Sequence, residues 1–269
     1  MKRMMLYFGS FNPIHRGHIA LAEYVVEHDL CDEVALIVSP QSPYKATESL
    51  VPELNRFEMA EIACATSKYP ESIRPSAIEF VLTRPSYTID TLRYLTENFG
   101  SEMLFSILMG GDQIKALDGW KEYEKILEYP IFVYPRPNEK IERFLDRITV
   151  LNDAPLFDIS ATEIRRRILC GEETSTLLIP EVERYIREKG LWSPATQIAT
   201  LTARIAENPQ DHALYLERGK LHYRQNEWGS ALNDFHQVLQ IDPDHIEAKQ
   251  FSEITREILE FRYKDIYNP

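Results

Sequence analysis

Short apolar runs alternate with longer amphipathic segments from residue 4 to about residue 190, and no other property of this chain narrows its fold as much. Runs such as Met4-Met5-Leu6-Tyr7-Phe8 and Glu33-Val34-Ala35-Leu36-Ile37-Val38-Ser39 suit strands buried on both faces. Between them lie segments with apolar residues at helical spacing, of which Ile19-Ala20-Leu21-Ala22 through Val25-Val26 is the first. Strand and helix in alternation build a parallel sheet with helices on both faces. The expected class is therefore α/β, a Rossmann-like doubly wound parallel sheet. The alternation ends near Ser193-Pro194, after which no strand signal remains. Two domains are expected, an α/β domain over 1–192 and a small all-α domain over 193–269.

Further strands are expected at Ala77–Leu82, Met103–Met109, Pro130–Tyr134 and Ile148–Leu151, and further helices at Glu53–Ser67, Ile89–Phe99 and Ser160–Ile168. Periodicity places Leu54, Phe57, Met59, Ala60, Ile62 and Ala63 on the inner face of the helix at 53–67. It places Leu92, Leu95 and Phe99 on the inner face of the next. In an open α/β sheet ligands sit beyond the carboxyl ends of the strands, so the loops that follow strands carry the chemistry.

The first such loop is Gly9-Ser10-Phe11-Asn12-Pro13-Ile14-His15-Arg16-Gly17-His18, between the first strand and the first helix. Backbone N–H groups of a small-residue turn and of a helix start converge on one place, where the helix dipole adds partial positive charge. His15 and His18 add two movable donors to what reads as an anion site. Lys45, after the second strand, faces the same crevice, with a solvated surface lysine as the alternative. Arg84-Pro85-Ser86-Tyr87-Thr88 and Gly110-Gly111-Asp112 follow later strands. Small residues let backbone approach a ligand closely, and a carboxylate at a strand end accepts ribose hydroxyls. Trp120 by itself reads as a core aromatic, and Arg136 closes another strand end. In Ser160-Ala161-Thr162-Glu163-Ile164-Arg165 a capping box explains Ser160 and Glu163. It does not explain arginines at a helix start, where the dipole disfavours cations, so Arg165 makes sense facing an anion. Arg166 and Arg167 read as solvated or paired.

A net charge of -12 and a pI near 5.1 exclude a nucleic-acid-binding surface as the main activity, since phosphate backbones need a basic stripe. Against that acidic background His15, His18, Lys45, Arg136, Ser160 and Arg165 gather at strand ends, which points to a locally basic crevice and a small phosphate-bearing ligand. No run approaches the roughly 20 apolar residues that span a bilayer, and no signal-peptide pattern opens the chain, so a cytoplasmic location with no membrane contact is expected. Cys31, Cys64 and Cys170 lie far apart without metal-ligand spacing and read as reduced thiols, and no metal ligand is expected from the chain.

Residues 1 to about 192 resemble the bacterial nicotinate-nucleotide adenylyltransferases of the nucleotidyltransferase superfamily. The resemblance rests on the order and spacing of 9–18, Ser42-Pro43-Tyr44-Lys45, Ser86-Tyr87-Thr88-Ile89-Asp90-Thr91-Leu92, Gly110-Gly111-Asp112 through Trp120, Ile159 through Arg165, and Leu178-Ile179-Pro180 through Gly190-Leu191-Trp192. Phe8 stands where the family often has glycine, Tyr44 where histidine is common, and Ala161 where a second serine is common. The resemblance implies adenylyl transfer from ATP to nicotinate mononucleotide, giving deamido-NAD and pyrophosphate in NAD biosynthesis, with Mg²⁺ on the phosphates. It implies catalytic roles for His15, His18, Lys45 and Arg165, and ATP contacts at Gly9, Ser10, Phe11, Asp112, Arg136, Ser160 and Thr162. Tyr87, Thr88 and Trp120 would hold the mononucleotide, Trp120 by stacking on the pyridine ring. Nicotinamide mononucleotide or another phosphorylated acceptor is the alternative substrate. A scaffold acting through the helical tail is the alternative role. A dinucleotide-dependent dehydrogenase is disfavoured, because no Gly-x-Gly-x-x-Gly follows a strand.

The tail carries its own period. Asn208-Pro209 and Asp242-Pro243 are 34 residues apart, and Gly219, Tyr223, Trp228, Ala231, Phe235 and Val238 fall where a tetratricopeptide repeat places its packing residues. Helices are expected near 195–207, 212–225, 228–241 and 246–262. One repeat buries little surface, so the tail is expected to support a homo-oligomer or the first domain, or to bind a protein partner.

Overall fold

The computed structural model describes residues 1–41, 50–137 and 140–266, so Tyr44 and Lys45 lie outside the described residues. The chain divides into two compact units, Met1–Arg165 with Glu173–Tyr185, and Arg166–Glu172 with Ile186–Pro269.

In the first unit six strands form one sheet: β1 (Lys2–Gly9), β2 (Glu33–Val38), β3 (Ile73–Ser76), β4 (Met103–Gly110), β5 (Ile131–Tyr134) and β6 (Ile148–Val150). Their order is β3-β2-β1-β4-β5-β6 and every neighbouring pair is parallel. The α/β expectation is borne out in the doubly wound form, with the strand order reversing between β1 and β4. Leu6 lies level with Ala35 on one side and Ile107 on the other, and these three share a face with Ile37, Phe105 and Met109. That face packs on Ile89, Leu92 and Leu95 of α3 (Thr88–Phe99). Met5, Leu36 and Leu108 alternate onto the opposite face and are at most 1 % exposed. The strands are thus covered on both sides, which is why they read as unbroken apolar runs.

Two helices precede α3, namely α1 (Arg16–Glu27) and α2 (Glu53–Ala65). The short α4 (Gly111–Lys115) and α5 (Tyr123–Ile126) come next, followed by α6 (Ala161–Cys170) and α7 (Pro180–Glu188). The expected strand at 77–82 is not formed. β3 lies earlier, its Ile73 fully buried and paired with Val34, and Ile78–Phe80 make a 3-10 turn that swings Glu79 inward and leaves Val81 exposed. A straight strand there would have left a charged side chain at a sheet position with no hydrogen-bond partner. Two inward expectations also fail. Leu54 is exposed in the first turn of α2, where Arg56 takes the buried place, and Phe99 is exposed at the last residue of α3.

The second unit is helical, with α8 (Pro194–Glu207), α9 (His212–Arg224), α10 (Trp228–Ile241) and α11 (Ile246–Ile266) close to their expected bounds. Ser193 and Asp211 cap α8 and α9 by accepting from the Thr196 and Ala213 N–H groups. Gly219 lets α9 approach α10, since a Cβ there would lie 2.7 Å from the fully buried ring of Phe235. Between these helices Arg218 forms a two-pronged pair with Asp234, at 2.8 and 2.6 Å.

Candidate active site

The carboxyl ends of β1 and β4 flank the point where strand order reverses, and there a cleft of about 640 Å³ opens in the first unit. Its first wall is the turn from β1 into α1. Gly9 has no room for a side chain, because a Cβ would sit 2.9 Å from the Phe11 ring, and Phe11 itself is held in the left-handed region at φ 45°. The buried Phe11 ring then packs edge-on against Tyr7 and His18, fixing the imidazole from one side.

From the other side His18 is stacked on His15, their ring centroids 3.6 Å apart. The His15 backbone N–H donates to Nδ1 of His18 at 3.2 Å. That bond makes Nδ1 the acceptor, so Nε2 is the nitrogen of His18 that carries a proton. His15 is buried, and burial together with the charge of Arg136 pulls its imidazole down to about 3, so it is neutral at physiological pH. Its Nδ1 is buried without a hydrogen-bond partner. A polar atom left this way beside a cleft is a place for a ligand to bind.

The opposite wall belongs to α6 and the residue before it. Ser160, Thr162 and Arg165 line the cleft, and the Arg165 guanidinium donates to the Asn12 carbonyl at 2.8 Å and to the Thr162 hydroxyl at 3.1 Å. Burial lowers the Arg165 pKa and no carboxylate offsets it among these contacts, so its charge is turned on the turn at 9–18. At the end of β4 Asp112 accepts from Arg136 Nε at 3.0 Å, so the two residues expected in separate roles form one ion pair at the rim. Behind them the hydroxyls of Tyr7 and Tyr134 meet at 3.1 Å.

Thr88 and Trp120 also line the cleft, Thr88 as first residue of α3, whose leading N–H groups have no partner within the helix. Trp120 also packs on the apolar face beneath the sheet, so its core and cleft readings both hold. Tyr87 is not part of the lining. It is the residue that precedes α3, with the Lys121 ammonium 4.8 Å above its ring.

Sequence reasoning missed Glu79 and Arg56. Glu79 is 1 % exposed, lines the cleft near Thr88 and accepts from the Thr91 hydroxyl at 2.9 Å. Burial raises its pKa, against the opposing pull of the nearby Ser39, Thr91 and Ser86 hydroxyls. Its Oε2 has no aligned hydrogen-bond partner, nor has the buried Ser86 hydroxyl. Arg56 lies below the turn at 9–18 and donates to Ser10 and Ser39 carbonyls of the lining. The available signal was a charge on an apolar stripe: Arg56 shares a helical face with Met59, Ala60 and Ala63, and Glu79 interrupts an apolar run.

Among the described residues no three His, Cys, Asp or Glu side chains come together to hold a metal ion. No helix of the described residues is long and apolar enough to cross a membrane.

Residues 6–167 match the cytidylyltransferase-like family model. The chain is 39 % identical over 190 residues to a protein of Cytophaga hutchinsonii named as a probable nicotinate-nucleotide adenylyltransferase, covering 70 % of this chain and 97 % of that one. A protein of the same name from Bacteroides thetaiotaomicron is 40 % identical over 185 residues, 68 % of this chain and 90 % of that one. Among solved structures, the Plasmodium falciparum nicotinic acid mononucleotide adenylyltransferase complexed with NaAD superposes with a TM-score of 0.61 at 19 % identity, covering 71 % of this chain and 98 % of that one. At that identity the likeness speaks for the fold. About three tenths of this chain lies outside each of these two matches.

Proposed function

The chain belongs to the cytidylyltransferase-like family and, within it, to the nicotinate-nucleotide adenylyltransferases, and we propose that it transfers the adenylyl group of ATP to nicotinate mononucleotide, releasing pyrophosphate and deamido-NAD in NAD biosynthesis. A phosphate oxygen of the mononucleotide attacks the α-phosphorus of ATP, the new P–O–P bond forms as the bond to the β-phosphate oxygen breaks, and pyrophosphate leaves with the electron pair. No protein nucleophile takes part. The chain's work is to hold two anions in line and to stabilise charge on the departing group.

The observation that carries this reading is the stacked pair at the head of α1, with a neutral His15 whose Nδ1 is buried and unpartnered. A charged imidazole is not needed there. Nε2–H of His18 and the N–H groups of the turn donate to phosphate oxygens, and Arg165 supplies the positive charge from the opposite wall. Gly9, Ser10 and Phe11 supply backbone to the triphosphate, Ser160 and Thr162 supply hydroxyls, and Lys45 adds a second cation. Asp112, steadied by Arg136, accepts ribose hydroxyls. Thr88 offers helix-start N–H groups to the pyridine carboxylate and Trp120 stacks on the ring, with Tyr87 shaping the turn before them. Mg²⁺ carried in with ATP would supply further positive charge to the phosphates that the turn at 9–18, Lys45 and Arg165 hold.

The catalytic part is 1–192, and the helical extension over 193–269 serves a second copy of the chain or a protein partner. The protein works in the cytoplasm on small molecules. The test is pyrophosphate release with ATP and each acceptor in turn: nicotinate mononucleotide should support it, and release only with nicotinamide mononucleotide or with phosphopantetheine would overturn the assignment.

A further inference from the structure

Arg56 stands in the first turn of α2, yet only 1 % of its surface is exposed. A guanidinium taken out of water is costly unless its donors are satisfied. Here Nε donates to the Val51 carbonyl at 3.0 Å, Nη1 to Ser10 at 2.7 Å and Ser39 at 2.6 Å, and Nη2 to Pro40 at 2.9 Å. Every one of these partners is a backbone carbonyl, and Glu53 acts on it through charge alone. Burial draws its pKa down to about 10, which still leaves it protonated at neutral pH.

Two physical consequences follow from that arrangement. The first concerns position. Ser10 and Ser39 both line the cleft, and the Ser39 N–H also donates to the Gly9 carbonyl at 2.9 Å. One planar fork therefore ties the residue after β1 to the residues after β2 and to the entry of α2. Because a trans peptide points its C=O and N–H in opposite directions, the Ser10 carbonyl drawn toward Arg56 aims the Phe11 N–H away from it. The second concerns charge. Carbonyl dipoles solvate the guanidinium without cancelling its net charge, and Glu53, the carboxylate that acts on it, is itself paired with Arg84, so positive charge persists behind the turn at 9–18.

We propose that Arg56 is a positioning residue of the ATP half of the site: it fixes the peptide groups of Ser10 and Ser39 and backs them with a positive charge to which no carboxylate is hydrogen-bonded. The inference rests on the adenylyltransferase reading above. It concerns ATP first, because Ser10, to which Nη1 donates, belongs to the turn at 9–18 that is read as holding the triphosphate.

The test compares the full-length protein with Arg56→Lys, which keeps the charge but lacks the planar fork. Thermal melting and near-ultraviolet circular dichroism establish that the variant is folded. Its KM for ATP should rise about tenfold while its KM for nicotinate mononucleotide stays near that of the parent, as the loss of charge-assisted positioning at one substrate requires. A role confined to fold stability would lower Tm and leave both KM values in place, which overturns the proposal. Equal rises in both KM values, or a lysine variant that does not fold, overturn it as well. Calorimetric titration of both proteins with a non-hydrolysable ATP analogue separates this from the activity itself. If the parent shows no acceptor-dependent turnover, the adenylyltransferase reading fails; if the parent turns over and the variant binds the analogue equally well, only the role of Arg56 fails.

Discussion

Two arginines, the buried Arg56 of the α/β unit and the partly buried Arg218 of the helical unit, are stabilised in opposite ways. Arg218 in the helical unit meets the Asp234 carboxylate with two prongs and the Thr202 hydroxyl with a third, so its charge is cancelled where it lies. Arg56 in the α/β unit meets four carbonyls and no carboxylate, so its charge survives. A charge that only joins helices to one another, here α9 to α10 and α8, is best neutralised, since an unpaired one between them would be pure cost. A charge beneath a site that receives polyanions is useful only if it is left standing. The same residue type thus marks a structural joint in one place and a functional one in the other, and the partner decides which.

That contrast can be broken or sharpened in order of effect. Removing the donor at the head of the site, His18→Ala, should lower kcat about a hundredfold or more with Tm nearly unchanged, as the loss of a preorganised donor to developing charge does. Near-parental turnover would take His18 out of the mechanism. Asp234→Ala leaves Arg218 without its carboxylate and should destabilise the helical unit by about 2 kcal/mol, read as a shift in the denaturant midpoint of Trp228 fluorescence. kcat should hold, and a fall as deep as that of His18→Ala would mean the second arginine is functional after all.

The pH dependence of stability comes next. Unfolded, His15 titrates near the ordinary histidine value of about 6.5, and folded it stays neutral down to about 3. Between those values the unfolded chain binds a proton that the folded one does not. Stability should therefore fall as pH drops below about 6.5, by about 1.4 kcal/mol per pH unit from this group. His15→Asn should flatten that slope, and an unchanged slope would show that His15 is not held neutral. The smallest effect is at the acceptor end, where Trp120→Ala should raise the KM for the mononucleotide about fivefold and that for ATP less, in line with one lost stacking contact. An equal rise for both would place the ring elsewhere.

Much of the first unit was legible because parallel strands covered on both faces leave unbroken apolar runs, as at 4–8 and 33–38, and helices leave a 3.6-residue stripe. The site turn was legible for a related reason, since Gly9 and the two histidines sit between a strand and a helix where geometry permits little else. What was misread depended on tertiary partners. Glu79 folds inward because Thr91 waits for it twelve residues on, and no local pattern records that. Arg56 is buried because the β1–α1 turn and the β2–α2 connection offer carbonyls to it, partners that no local pattern of the helix records. The pairing of Asp112 with Arg136 likewise joins residues that sequence reading had assigned to separate roles, a ribose hydroxyl and the phosphates.

The most direct test of attack at the α-phosphorus follows the label. With ATP carrying radioactive phosphorus at the α position and nicotinate mononucleotide as acceptor, the label should appear in the dinucleotide in step with unlabelled pyrophosphate. Label recovered as AMP or ADP, with none in a dinucleotide, would contradict adenylyl transfer at this site.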